Sequence, residues 1–363
     1  MKAQSPGAVV RSILAGQLKD QGFFAQGFIT AQSFLSVLDE MRISAEIRDR
    51  YGASETRSLA AVAFNYSSGP EDMPAWAKKA EDAPSAHSEP RLAIARFARA
   101  NWYAEINQRL LAAVKATRIE AASLGIELPG VKAWKRLVNS MMPEKALAFR
   151  AGLGWIGKNT ILIASGSRGE SSAVLLGLLL CPIDLDLEES LSRTTTAQSV
   201  EALKNDNTEW WNKALKSELG CGSCNRCVDA CPTGALGSRG SFFERKKCIQ
   251  HWTHIDEEPP ASMLPFLSGR LYGCDICLEA CPYFNLDEAA SCNRGALGPA
   301  IPARALLDVS ESELKNTLRD TTLDRSWISL KALRRNAALS LESIGREKSC
   351  GDGQAKENPK NDH

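Results

Sequence analysis

No apolar run in this 363-residue chain reaches the roughly 18 residues of a membrane-spanning helix. The longest, Ala173 to Leu180, is strand-sized. The opening MKAQSPGAVVRSILAGQLKDQGFF lacks the charged start, apolar middle and small-residue end of a secretory signal. Excess charge is missing too. There are 44 Lys and Arg against 43 Asp and Glu, a net charge of +1, which excludes a strongly basic polyanion binder by bulk charge and leaves only local basic patches. No internal repeat is present outside one cysteine-rich block. These absences predict a cytoplasmic protein with no membrane partner. In that reducing compartment cysteines serve as metal ligands or catalysts more often than as disulfides. Hydrophobic residues at 44% and charged residues at 24% fit an ordinary globular protein of two or three domains.

Cysteine is abundant: there are eleven. The stretch Cys221-Gly-Ser-Cys224-Asn-Arg-Cys227-Val-Asp-Ala-Cys231-Pro232 is C-x2-C-x2-C-x3-C-P, the bacterial ferredoxin run. Two-residue gaps let one tight loop wrap a cubane with three thiolates. The fourth cysteine departs on a helix and ligates a second cluster, and Pro232 presets that departure. The second loop is Cys274-Asp-Ile-Cys277-Leu-Glu-Ala-Cys281-Pro282, one cysteine short, and Cys248 stands alone between the two. The arithmetic closes with Cys221, Cys224, Cys227 and Cys281 on cluster one, and Cys231, Cys248, Cys274 and Cys277 on cluster two. Zinc has no reason to demand a third cysteine at x2 and a Cys-Pro at x3, twice. Two [4Fe–4S] clusters are therefore expected, and Cys181, Cys292 and Cys350 read as ordinary thiols. Clusters move single electrons and need an upstream donor such as a flavodoxin or ferredoxin. The chain is far longer than an electron carrier requires, which favours an enzyme, an oxidoreductase.

Residues 1–50 read as helical. Ser58–Tyr66 reads as a buried strand, 70–90 as a Pro-rich loop and 91–124 as helix. Thr160–Ala164 and Ala173–Leu180 read as two strands with a polar connection. The fold class predicted is an α/β (α+β) N-terminal domain over 1–185, a linker over 186–219, a ferredoxin-like two-cluster domain over 220–290, a short helical C-terminal part over 291–346 and a disordered tail over 347–363.

Gly152-Leu-Gly-Trp-Ile-Gly-Lys-Asn159 contains G-x-G-x-x-G and a Gly-Lys pair. Dinucleotide and phosphate loops follow a strand and open a helix. Here Glu144–Ala151 reads as helix and Thr160–Ala164 as strand, the reverse order. The segment is not read as a nucleotide site, although glycine still permits a close approach to a bulky cofactor.

Ala146–Asn159 (ALAFRAGLGWIGKN), the eight-cysteine block with Gly269–Cys277, and Leu333-Arg-Arg-Asn-Ala337 occur in the order that resembles the epoxyqueuosine reductases, cobalamin-dependent reductases with two [4Fe–4S] clusters. The resemblance covers about residues 20 to 345. It implies reduction of the epoxide of epoxyqueuosine in the tRNA anticodon stem-loop to queuosine, with electrons passing through the clusters to a corrinoid cobalt. It also implies a corrinoid held by the Gly152–Leu162 segment, Leu162 itself, the Leu176 strand, and Gln250 and Asp275. No DxHxxG loop is present to supply a lower histidine ligand. The chain departs from the family where its catalytic acid should stand: the position is Asn139 or Val138. A second family acid is replaced at Asn101, next to Trp102 and Tyr103. Neither Asn nor Val donates a proton as a carboxylic acid does, so Tyr103 is the remaining weak candidate. The alternatives are a corrinoid reductase of a small molecule, similar to reductive dehalogenases, and a non-catalytic electron-transfer protein. Trp102, Trp134 and Trp155 read as core before pocket, and His251 and His254 as surface or core. Lys132, Lys135, Arg136, Lys246 and Lys247 read as solvated basic faces that could meet tRNA phosphates.

Overall fold

The computed structural model describes residues 4–81, 89–187, 220–237 and 243–351. The expected linker, beyond Leu187, and the tail from 352 lie outside the described residues.

Ser5 caps α1 (Pro6–Asp20) by accepting from the Ala8 N–H at 3.2 Å, with Pro6 at the first helical position. β1 (Ala25–Thr30) follows, inside the stretch expected to be all helix. Thr30 caps α2 (Ala31–Glu40) and Ser44 caps α3 (Ala45–Arg50). β2 (Ser58–Asn65) is the strand expected there, and every residue of it is buried. The expected Pro-rich loop contains α4 (Ala75–Glu81). The stretch expected to be helix from 91 opens instead with β3 (Arg91–Ile94) before α5 (Trp102–Ser123). Then come β4 (Lys135–Leu137), α6 (Glu144–Arg150), β5 (Gly154–Ile156), β6 (Leu162–Gly166), β7 (Gly169–Ser171) and β8 (Val174–Cys181). The cysteine block carries α7 (Arg226–Ala230), α8 (Ile249–Trp252), α9 (Leu264–Leu267), β9 (Arg270–Tyr272) and α10 (Ile276–Glu279). The chain continues through β10 (Ala300–Pro302), α11 (Arg304–Leu307), α12 (Glu311–Thr317) and α13 (Leu330–Gly351), which runs into the stretch expected as tail.

The chain forms two compact units, each discontinuous in sequence. The first takes Met1–Ser68, Trp102–Glu244 and Ile276–Cys292. Its main sheet has the order β1-β2-β8-β4, antiparallel throughout. β2 and β8 are central, so both read as near-continuous apolar runs. Their register pairs Ala61 with Leu178 and Ser58 with Cys181. β1 escapes the sequence pattern because pairing with β2 defines it more than its own residues do. A side chain at Gly27 would stand 2.0 Å from the Ala151 carbonyl oxygen, so only glycine lets the end of α6 approach β1. A second small sheet, β5-β6-β7, belongs to the same unit.

The second unit takes Gly69–Asn101, Arg245–Asp275 and Asn293–His363. Its sheet, β10-β3-β9, pairs β3 with β9 in parallel. Leu92, Ile94, Leu271, Ile301, Leu306 and Leu333 fill its core. The Leu333–Ala337 motif has a structural task here. Asn336, fully buried, donates to the carbonyls of Thr253 and Leu271, both at 3.0 Å, and Arg335 donates to the carbonyls of Trp252, Ile255 and Glu257. Asn101 is structural as well: its amide donates to the Asp320 carbonyl at 2.7 Å.

Candidate metal centre

The glycines of Gly152–Asn159 build a connection, not a phosphate loop. Gly152, at φ +77°, ends α6 in a Schellman turn, with its N–H on the Phe149 carbonyl and the Leu153 N–H on that of Ala148. A side chain at Gly154 would meet the Ile163 carbonyl oxygen at 1.9 Å, across the pairing of Gly154 with Ala164. Gly157 closes the β5–β6 turn, its N–H on the Ile161 carbonyl and its own carbonyl accepting from Thr160. The helix-before-strand order expected from sequence is the one observed.

This hairpin forms one wall of a cavity lined by Cys221, Cys224, Cys227 and Cys281, together with Lys158, Asn159, Ile163, Pro282 and Tyr283. The four cysteines assigned to cluster one from spacing alone therefore share one site. Cys281 reaches it because α10 packs against α7 and because the chain after Pro282 is docked on the β6–β7 region. The Tyr283 carbonyl accepts from the Ser172 N–H at 2.7 Å, the Asn285 carbonyl accepts from the Ser171 hydroxyl at 2.6 Å, and Arg168 pairs with Asp287 at 2.6 Å. Trp155 stacks edge-on against Tyr283, with ring centroids 5.4 Å apart, and its indole fills the space a side chain at Gly220 would need. Trp102 and Trp134 are core, while Trp155 backs this site.

The site fits a cluster better than one ion. Among the described residues no three His, Cys, Asp or Glu side chains converge on a single metal, yet four thiols line one cavity. Burial pushes the Cys227 thiol up to about 11, and the neighbouring Cys221, Cys281 and Cys224 push the same way. Burial also raises Cys281. Crowded thiolates repel unless positive iron lies between them. Asn159 is buried and its amide nitrogen has no partner, a donor left for a group in the cavity.

The ligands assigned to cluster two are divided. Cys231 and Cys277 belong to the first unit, Cys248 and Cys274 to the second. Burial pushes Cys231 up, but hydrogen bonds from the Thr233 side chain and from the backbone of Thr233, Ala235 and Leu236 outweigh it and leave the thiol below its usual range. Cys181 and Cys292, which are not among the assigned ligands, are buried, and burial raises Cys181. The side chain of Cys350 lies outside the described residues.

The positions expected to contact a corrinoid also fall in both units. Leu176 is half-buried, whereas the Leu162 side chain is in the core, leaving its backbone as the only contact it could offer. In the second unit Gln250 and Asp275 flank one turn. Gln250 hydrogen-bonds Tyr272, its carbonyl accepts from Thr253, and Thr253 accepts from the Gly273 N–H. Asp275 accepts from the Arg96 N–H at 2.7 Å. His254 is tied to the Gln250 carbonyl at 2.9 Å, and burial holds its pKa below the usual imidazole range. Lys132, Lys135, Lys246 and Lys247 are exposed.

Asn139 has φ +52°, a left-handed conformation that Asn and Asp tolerate better than other side chains. Beyond it stands Glu144, which sequence reasoning missed. Its carboxylate accepts from the Ser140 N–H at 2.7 Å and the Ser140 hydroxyl at 2.9 Å. Burial raises it to about 7 against those bonds and against the charge of Lys145. A Glu in the first turn of a helix is ordinarily read as a solvated dipole partner, so only enclosure marks it out. Lys145 in turn donates to the Thr160 carbonyl at 2.8 Å, tying this helix to the β5–β6 hairpin.

Residues 220–284 match the family model described as a 4Fe-4S double cluster binding domain. The chain is 28% identical over 365 residues to an epoxyqueuosine reductase of Listeria monocytogenes, covering 94% of this chain and 82% of that one. A solved, selenomethionine-labelled epoxyqueuosine reductase superposes with a TM-score of 0.64 at 22% identity, covering 95% of this chain and 84% of that one. The chain has the epoxyqueuosine reductase fold. A further epoxyqueuosine reductase structure, solved with an epoxyqueuosine-modified tRNA-Tyr stem loop, superposes at 0.62 and 22% identity over 98% of this chain and 87% of that one. Within the epoxyqueuosine reductase fold, the ALAFRAGLGWIGKN segment is the one that walls the four-cysteine cavity.

Proposed function

We propose that the protein is a cytoplasmic, cobalamin-dependent iron–sulfur reductase that converts epoxyqueuosine in a tRNA anticodon stem-loop to queuosine. The observation that carries this reading is the four-cysteine cavity with Cys281 interleaved into it, built against the end of the Ala146–Asn159 segment, one of the three stretches that carry the resemblance. Cys231, Cys248, Cys274 and Cys277 would hold the second cluster, fed by a flavodoxin or ferredoxin. The corrinoid residues carried over by resemblance are Leu162, Leu176, Gln250 and Asp275; within the second unit Gln250, which offers a donor and an acceptor, and Asp275, an acceptor, suit the amide fringe of such a macrocycle. Bound cobalamin supplies the electrons at the substrate.

The overall change adds two electrons and two protons, breaks the epoxide C–O bonds, forms a C=C bond and releases water. The chain must deliver the protons. Asn139 cannot. Helix α6, which follows that loop, opens with Glu144, which keeps its proton to about pH 7, and Tyr103 stands at the start of α5. The test is incubation of the reconstituted protein with reductant and epoxyqueuosine-modified stem-loop, followed by nucleoside mass spectrometry. Queuosine is expected, and none without cobalamin. Asn139→Asp, compatible with the observed φ, is expected to accelerate the reaction by about 10²–10⁴, the usual range for a general acid. No queuosine from either protein would favour a small-molecule corrinoid reductase, the reading that Asn139 and Asn101 otherwise support.

A further inference from the structure

The lysine of the Gly-Lys pair serves no phosphate loop, yet it is firmly built in. Lys158 is only 7% exposed. Its ammonium donates to the carbonyls of Gly222 at 2.9 Å and Cys224 at 2.8 Å, and to Asn225 Oδ1 at 3.0 Å. All three oxygens are neutral, and among the described residues no carboxylate pairs with it. A buried cation without a counter-charge is costly. The negative charge available to it is in the cavity it lines, where Cys221, Cys224, Cys227 and Cys281 converge. Four thiolates around a cubane leave a net negative group, and the potential of such a cluster responds to nearby charge, hydrogen bonds and exposure.

We propose that the Lys158 ammonium is the counter-charge of the cluster on Cys221, Cys224, Cys227 and Cys281, raising its reduction potential while pinning the 221–225 loop. This rests on the iron–sulfur reading of that cavity. Reduction adds an electron to the cluster, so a cation beside it favours the reduced form and its removal lowers the potential. Loosening the loop acts with the opposite sign, because admitted water stabilises the more negative reduced form. The direction of the shift therefore separates charge from packing.

The test is an anaerobic EPR-monitored redox titration of the reconstituted holoprotein. Lys158→Gln keeps a donor and removes the charge. Lys158→Arg keeps the charge. Asn225→Asp leaves Lys158 in place and neutralises it, so it decides the matter even if the Lys158 variants fail to assemble. Lys158→Gln and Asn225→Asp are each expected to make reduction of this cluster about tenfold less favourable, about 59 mV lower for one electron, with Lys158→Arg near the wild type. An unchanged or raised potential in Asn225→Asp overturns the proposal. Iron assayed in parallel should be about eight per chain, as two [4Fe–4S] clusters require. A wild-type protein unable to assemble a cluster on these four cysteines would sink the iron–sulfur reading beneath the proposal, and the proposal with it.

Discussion

Glu144 shows how one enclosed carboxyl can govern a loop. Its group is held up to about 7 by burial, above an ordinary 4.5, although Ser140 and Lys145 pull the other way. Between those two values the folded protein binds a proton that the unfolded chain releases. Stability therefore falls as pH rises from about 4.5 to about 7 and levels off above. Glu144→Gln keeps an acceptor for Ser140 and removes the titration. In urea unfolding, the variant is expected to be more stable than the wild type at pH 8, by at most about 3 kcal/mol, with the gap closing toward pH 5. Parallel curves would show that Glu144 titrates alike in both states. No sequence pattern announces this residue, because its ionisation follows from enclosure. The acceptors of Lys158 were hidden for a related reason: they lie more than sixty residues further along the chain.

At the scale of the element, the α6–β5–β6 connection separates two uses of glycine. Gly152 sits at φ +77° with open space where a Cβ would stand, so Gly152→Ala meets only the left-handed backbone penalty, about 1–2 kcal/mol. Gly154→Ala drives a methyl group against the Ile163 carbonyl and must open the β5–β6 pairing. A loss of about 3 kcal/mol or more is expected, together with weakened cluster assembly, since this hairpin walls the cavity. Thermal denaturation and iron content of the two variants measure both; equal effects would refute the assignment. The order of helix and strand here was legible from apolar spacing, as were β2 and β8, which carry unbroken apolar runs. β1 and β3 were not, because each owes its conformation to a distant partner: Phe28 pairs with Ala60, and Ala93 with Arg270.

At the scale of the whole molecule, the cysteine chemistry was readable because cubane geometry imposes its spacing on one stretch of chain, whereas the two compact units draw on segments far apart in sequence and leave no such mark. Cys274, Cys277 and Cys281 illustrate the difference. They form one motif over eight positions, yet Cys281 lines a cavity with Cys221, Cys224 and Cys227. Helix α10 turns the chain between Cys277 and Cys281 and docks it against α7. Loss of a cysteine should therefore follow the cavity and not the motif. Cys281→Ser is expected to abolish the same EPR signal as Cys224→Ser and to leave about four iron atoms, one cluster. Cys231→Ser, in the first motif, is expected to spare that signal and remove the other. If Cys281→Ser instead matched Cys274→Ser, each motif would be holding its own cluster, and the interleaved assignment would be wrong.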